Sequence, residues 1–362
     1  MRIVVTVAAL ALVAGACAPS GTSPTTSVEP TTSTTPGTAT TAEPPETTTT
    51  TRVSTTTTEA PAETVPKPPE VFEYAVVAEK RARRLAVIDP NGACTEDGSG
   101  CALTPIATVD LPDRPHNLTG IGSVVYATHP TSGSISRVDI ATGDVLSAQV
   151  GIEPHDIKYE PSSGTMVVAD EAGRRLLTVD PETLAVISTL EMPGEPHDIA
   201  VDEGVIWVTL IGHSQLVRVT GDTVELLSAG GSPHDLIVDL DGFIWYSNWG
   251  SNRLYVFDPV SGITPQALTG DAEPHHFAIG PDGVVWISDN GGTAIIGFEA
   301  VQPVTVEVGP GPHHLAIVGD TIVVAVSGSG EAVFVRDGEV VARSQLTTGL
   351  HGVAVVELTR SL

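Results

Sequence analysis

Histidine is the residue type in this chain whose placement invites a chemical reading. Eleven occur in 362 residues. His116, His155, His197, His234, His275 and His313 each follow a proline, and His351 continues the series without one. Successive members lie 37 to 42 residues apart. Neutral imidazole is the commonest protein ligand for Zn and Cu, so several held a few ångströms apart would make a strong transition-metal site. His276 and His314 directly follow ring members, while His129 and His213 fall in polar loops further along their units. Asp170, Glu171 and Asp289 occupy the same kind of loop, as further ligands or as groups that orient an imidazole.

A second reading needs no ligand. A histidine copied into every repeat by duplication can bond a neighbouring repeat's carbonyl and tie the units together. The Asp that follows His155, His197 and His234 is expected to turn away from the histidines, because neighbours along a strand alternate.

A period near 40 residues belongs to the four-stranded blade of a β-propeller. One unit reads as a first strand such as Asp198–Val201, a turn such as Asp239–Gly242, and a second strand, Phe243–Tyr246. A polar loop, a third strand (Arg253–Phe257) and an Asp-Pro turn before the fourth follow. Six complete units lie between His116 and His351. One first strand, His351–Leu358, is left over at the end. Three others, Phe72–Ala78, Arg84–Asp89 and Ile106–Leu111, are left over at the start. Together they make a seventh blade, so the fold class is all-β: a seven-bladed propeller closed by pairing the two ends of the chain, with no open edge. Innermost strands then line a channel. All eleven histidines map to one face, seven of them as a ring at the channel mouth.

The pattern PHxxxxxxxGxxW, followed by Asn/Asp-rich loops, resembles the streptogramin (virginiamycin B) lyase family and related seven-bladed lipoprotein propellers over residues 71–362. The resemblance implies a C–O lyase that opens a cyclic depsipeptide by elimination, with a His and a Mg²⁺-associated Glu fourteen residues later in the last complete blade. Counted from His313, that place holds Ser327, with Val323 where the family has Trp. The preceding blade offers Asp289 after His275. Seven propeller histidines are also similar to the copper cluster of nitrous oxide reductase, without that family's cupredoxin domain. Three functions stay open: a metal or small-ligand binder, a lyase, and a protein-interaction scaffold. No Ser-His-Asp order, phosphate loop or zinc-protease motif is visible. Imidazoles must be neutral to ligate, so affinity is expected to collapse below about pH 6.5.

Charge narrows the partners. The chain carries 44 Asp+Glu against 17 Lys+Arg, a net charge of -27. This excludes nucleic acid and charge-driven docking on anionic lipid, and it concentrates cations. Residues 1–17 combine a basic start, an apolar run and Ala14-Gly15-Ala16-Cys17, which resembles a bacterial lipoprotein signal with Cys17 as the lipidated residue. Residues 18–70 are rich in Thr, Pro and Ser without apolar period, a disordered stalk open to O-glycosylation. The expected product is a monomeric head on the outer face of the cell membrane, held there by its lipid anchor only. In that compartment Cys94 and Cys101 are expected to form a disulfide.

Overall fold

Short β-branched runs separated by Gly, Asp and Pro turns can bury themselves only by pairing with their sequence neighbours, and they do so seven times over. The computed structural model describes residues 70–359, apart from 97–99, 249–250, 263–265, 268–271 and 300–301. Cys17 and the Thr/Pro/Ser segment lie outside the described residues. Within them are seven sheets, antiparallel throughout except where Ala102 pairs in parallel with Arg343, and no helix.

Blades are named here from the channel outward. Blade 1 is Leu118–Ile121, Val124–His129, Ser134–Asp139 and Val145–Gln149. Blade 2 runs from Pro154–Glu160 to Val186–Glu191, blade 3 from Glu195–Asp202 to Thr223–Ser228, and blade 4 from Pro233–Val238 to Gln266–Ala267. Blade 5 runs from Pro274–Ile279 to Gln302–Glu307, and blade 6 from Pro312–Val318 to Glu339–Gln345. Blade 7 joins the two ends of the chain. The innermost strand is Leu350–Leu358, followed by Phe72–Glu79, Arg84–Ile88 and Ala107–Asp110. Phe72 pairs with Leu358, so the predicted one-plus-three closure is the observed one.

The innermost strands touch one another in a closed cycle. The apolar core is accordingly divided into seven wedges, each between two adjacent blades. Leu177 of blade 2 packs with Ile135 of blade 1, for example, and Leu315 of blade 6 with Ile295 of blade 5. The segment closed by the Cys94–Cys101 disulfide does more than staple a loop. Thr95–Glu96 and Cys101–Ala102 add two short strands to the outer edge of blade 6, with Ala102 opposite Arg343, and Leu103 is buried between blades 6 and 7.

The inner strands are irregular where they begin, and this irregularity builds the histidine face. Register shifts fall between Pro154 and Asp156, Pro196 and Ile199, Pro233 and Leu236, Pro274 and Phe277, and Pro312 and Leu315. Each is a β-bulge, which breaks the alternation of side chains. The expectation that the Asp after the histidine turns away is therefore wrong. Asp156, Asp198 and Asp235 are all buried. Asp156 accepts the Ile199 N–H at 3.0 Å, and Asp198 accepts the Leu236 N–H at 2.8 Å, each from the next blade.

A hydroxyl on the second strand completes the joint. Thr209 Oγ1 accepts the Asp198 N–H at 3.0 Å and donates to the His234 carbonyl of the next blade at 2.5 Å. Thr128 does the same between Asn117 and the His155 carbonyl, at 3.1 and 2.8 Å. Ser288 does it between His276 and the His313 carbonyl, at 3.1 and 2.5 Å. At the seam between blades 7 and 1 the backbones approach directly. Gly352 N–H donates to the His116 carbonyl at 3.0 Å, and a Cβ on Gly352 would lie 2.6 Å from that oxygen.

Two outcomes test this architecture. Thr209→Val should cost about 1–3 kcal/mol, because it strands a buried donor and a buried acceptor, while Thr209→Ser should cost less. Urea unfolding of the two variants compares them, and equal stabilities would remove the hydroxyl from the joint. Deleting residues 350–362 should abolish the single cooperative thermal transition, whereas Cys94→Ser should cost no more than about 2–3 kcal/mol. Calorimetry on both reads the difference.

Candidate metal centre

The bulges place one imidazole per blade at the mouth of the channel, and the seven rings close on themselves. Centroid separations run 4.5 Å from His116 to His155, 3.8 Å to His197, 4.1 Å to His234 and 4.9 Å to His275. They continue at 4.2 Å to His313, 4.3 Å to His351 and 3.6 Å back to His116. His314 sits 4.6 Å from His351 and 4.0 Å from His276, so two histidines of the second layer lie against the ring. The ring lines a cavity of about 250 Å³.

Hydrogen bonds decide which nitrogen carries the lone pair. His197 Nδ1 lies 2.7 Å from Glu171 Oε2, and His155 Nδ1 lies 3.1 Å from the His197 carbonyl. Both partners only accept, so each Nδ1 carries the hydrogen and each Nε2 the lone pair. Asp235 faces two ring members, with His234 Nδ1 at 3.2 Å and His275 Nδ1 at 3.0 Å. A carboxylate behind the Nδ1 of a ligating histidine is the arrangement that fixes tautomer and raises basicity at metal sites. His197 Nε2, His276 Nδ1, His313 Nδ1 and His351 Nδ1 are buried without a hydrogen-bond partner.

Three groups hold ligand atoms within 4.8 Å of one another: His155, Glu171 and His197; His197, His234 and Asp235; and His275, His313 and His314. Small rotations would bring such sets to the roughly 3.4 Å donor spacing of a tetrahedral site.

Burial disfavours the charged form of His116, His155, His197, His313 and His351 in the ring. It pushes His155 down to about 3 with help from His197, and His197 down to about 3 with help from His234. Burial likewise takes His276 to about 4. His116, His313, His314 and His351 are held well below the usual range by burial and by their neighbouring imidazoles. Beneath the ring, burial and the Asp156 charge raise Asp198 well above the usual carboxylate range. Lys158 Nζ bonds Asp156 at 2.7 Å and stands 3.8 Å from Asp198.

Other predicted ligands are engaged elsewhere. His129 is fully buried, with Nδ1 3.1 Å from the Arg114 carbonyl and Nε2 2.7 Å from Ser136 Oγ. Asp170 accepts the Ile152 and Glu153 N–H groups at 2.8 and 2.7 Å and Arg175 Nε at 2.8 Å. Asp289 accepts the Glu273 N–H at 2.7 Å. These three clamp the link that enters their own blade. His213 lies beside the Ile211 carbonyl and Glu195, 3.0 and 3.5 Å away, outside the ring. Sequence reasoning missed Asp235, the Asp156–Lys158–Asp198 layer and the hydroxyl joints. A signal for the last was present, since Thr128, Thr209, Ser247 and Ser288 each stand eleven or twelve residues after the residue that follows the histidine.

No protein-family profile and no curated protein matches the chain. Solved structures do. A streptogramin B lyase superposes with a TM-score of 0.59 at 17% identity, over 66% of this chain and 86% of that one. A catalytically inactive virginiamycin B lyase from Staphylococcus aureus, solved with quinupristin, gives 0.58 at 17% identity, over 70% and 92%. A functionally unknown protein from Desulfotomaculum acetoxidans gives 0.63 at 14% identity, over 78% and 98%. At such identities the likeness is one of fold: the described chain is a streptogramin-lyase-like seven-bladed β-propeller.

Proposed function

We propose that this protein is an extracytoplasmic, lipid-anchored propeller whose histidine ring binds a divalent transition metal, zinc or copper. One observation carries the reading. The task of tying blade to blade, which would account for a histidine in every repeat, is performed by Thr128, Thr209, Ser288, Asp156 and Asp198. Ring imidazoles reach across a seam individually, His155 to the His197 carbonyl, His197 to Glu171 and His275 to Asp235, and with three different kinds of partner. The joint that repeats from blade to blade is the hydroxyl and carboxylate layer, on which the imidazoles sit. The lyase alternative has less support, because Ser327 stands where that chemistry needs a carboxylate and Asp289 is engaged with Glu273.

Neutral imidazoles also change the pH dependence expected from a free histidine. With His155 and His197 near 3, these two imidazoles do not take up protons at pH 6.5. Metal need not compete with protons until the solution is far more acidic.

Calorimetric titration of untagged protein with Zn²⁺ and Cu²⁺ tests the reading. Binding should raise stability by about 2.7 kcal/mol at a hundredfold excess over Kd. Substituting His275 and His313 with Ala should remove most of that gain. A flat titration, together with a strongly destabilised variant, would return the ring to a structural role. Zn²⁺ affinity should change by less than about tenfold between pH 7.5 and 5.5, against the steep loss expected of ordinary histidines. Metal-free stability should fall as pH drops from about 6.5 towards about 3, since there the unfolded chain binds protons that the fold excludes. The slope is about 1.4 kcal/mol per pH unit for each such histidine. Denaturant unfolding across that range measures it.

A further inference from the structure

The second strands of blades 3, 4 and 5 each carry a tryptophan at the same register: Trp207, Trp245 and Trp286. In blades 3 and 4 the protein covers the indole itself. The Arg218 guanidinium, directly across on the third strand, lies 5.9 Å from the Trp207 ring centroid, and Glu225 on the fourth strand holds it at 2.7 Å. Phe257 of the next blade stands 6.3 Å from Trp207, and its counterpart Phe298 stands 5.6 Å from Trp245. Trp245 Nε1 also donates to Asp239, in the turn before its strand, at 2.7 Å.

At blade 5 each of these partners is replaced by a smaller residue without charge. Gly297 stands opposite Trp286 where blade 3 has Arg218, and a Cβ there would lie 2.9 Å from the indole. Val304 stands opposite Gly297 where blade 3 has Glu225. Val335 pairs with Ile322 as Phe257 pairs with Ile244, so it holds the aromatic place on blade 6. Gly280 opens the same turn that Asp239 opens in blade 4. A cavity of about 390 Å³ lies between blades 5 and 6, bordered by Trp286, Val304, Ile317 and Val335. It opens at the strand turns, on the face away from the histidines. Asp282, Asp320 and Asp337 form its exposed rim. Asp320 pairs with Arg336 at 3.0 Å, whereas Asp282 and Asp337 form no ion pair among the described residues.

We infer that this cavity is a binding site for a small organic cation with an aromatic body. The ligand supplies from outside what blade 3 supplies from within: a guanidinium or ammonium beside the indole, and a ring in the space a phenylalanine fills at the neighbouring seams. Its charge is met by the Asp282 and Asp337 carboxylates, in the role Glu225 plays for Arg218. An indole attracts a cation placed over its face, and the attraction grows as water is excluded. The volume falls within the range of small-molecule sites, with apolar walls and a few charged groups to fix orientation. None of the bordering residues belongs to the histidine ring, so the site stands apart from the metal reading.

The test titrates the full chain calorimetrically with benzylguanidinium, which carries both missing groups, and with benzyl alcohol, which carries only the ring. The cation should bind at least about tenfold more tightly than the alcohol. Trp286→Leu should weaken it about tenfold, and so should the paired change of Asp282→Asn with Asp337→Asn. Both aspartates are exposed, so the paired variant keeps the fold and reads the site alone. Val335→Phe, which restores the aromatic of the neighbouring seams, should also weaken binding by filling the cavity. No binding of the cation, equal affinity for the two probes, or cation affinity unmoved in the tryptophan and asparagine variants would overturn the site.

Discussion

Six of the seven inner strands carry one residue more than the partner strand can match, and the site follows from that mismatch. A regular strand offers the channel every second side chain, so a histidine facing inward would send its neighbour out. The bulge at Pro-His-Asx lets both residues stay inside. The upper layer becomes imidazole and the lower layer becomes Asn, Asp or His; Asp156 and Asp198 of the lower layer reach the next blade's backbone, and Asn117 reaches the Asp156 side chain. Ring spacing is thereby set by backbone joints rather than by contacts between the imidazoles. In the seventh blade the second residue is Gly352, since the His116 carbonyl occupies the place a side chain would take.

Architecture was legible from sequence because repetition reports it directly. Seven histidines at a near-constant period, with one strand left at one end and three at the other, leave little choice of blade number or closure. The ring was legible for the same reason. The second layer was not, because the rule of alternation that serves for most of the chain fails at the two residues that matter. Nor could spacing separate a loop acid that meets the ring from one that holds its own link. Asp170 and Glu171 are adjacent in sequence, yet the first bonds two backbone N–H groups and the second bonds His197.

The protonation of the site is likewise a property of packing and not of residue type. Imidazoles in water would carry substantial positive charge in mildly acid conditions. Packed against one another at the channel mouth, neighbouring imidazoles raise the cost of charging His116, His155, His197, His313 and His351. The layer below them is already committed, with Lys158 held between Asp156 and Asp198. Such a mouth offers imidazole lone pairs in a chain of net charge -27, whose field draws cations towards it.

The pairing of Phe72 with Leu358 also dictates an order of events. These partners are separated by nearly the whole described chain, so closing the ring confines roughly 290 residues, an entropic cost about 3 kcal/mol beyond that of local pairing. Six blades can form from neighbours as the chain emerges, but the seventh waits for the final strand. Until then the array has two open edges and its channel has a gap where His351 belongs. A chain of this topology completes its histidine face only when Leu350–Leu358 has joined the array, so the last imidazole of the ring arrives with the slowest, most non-local pairing.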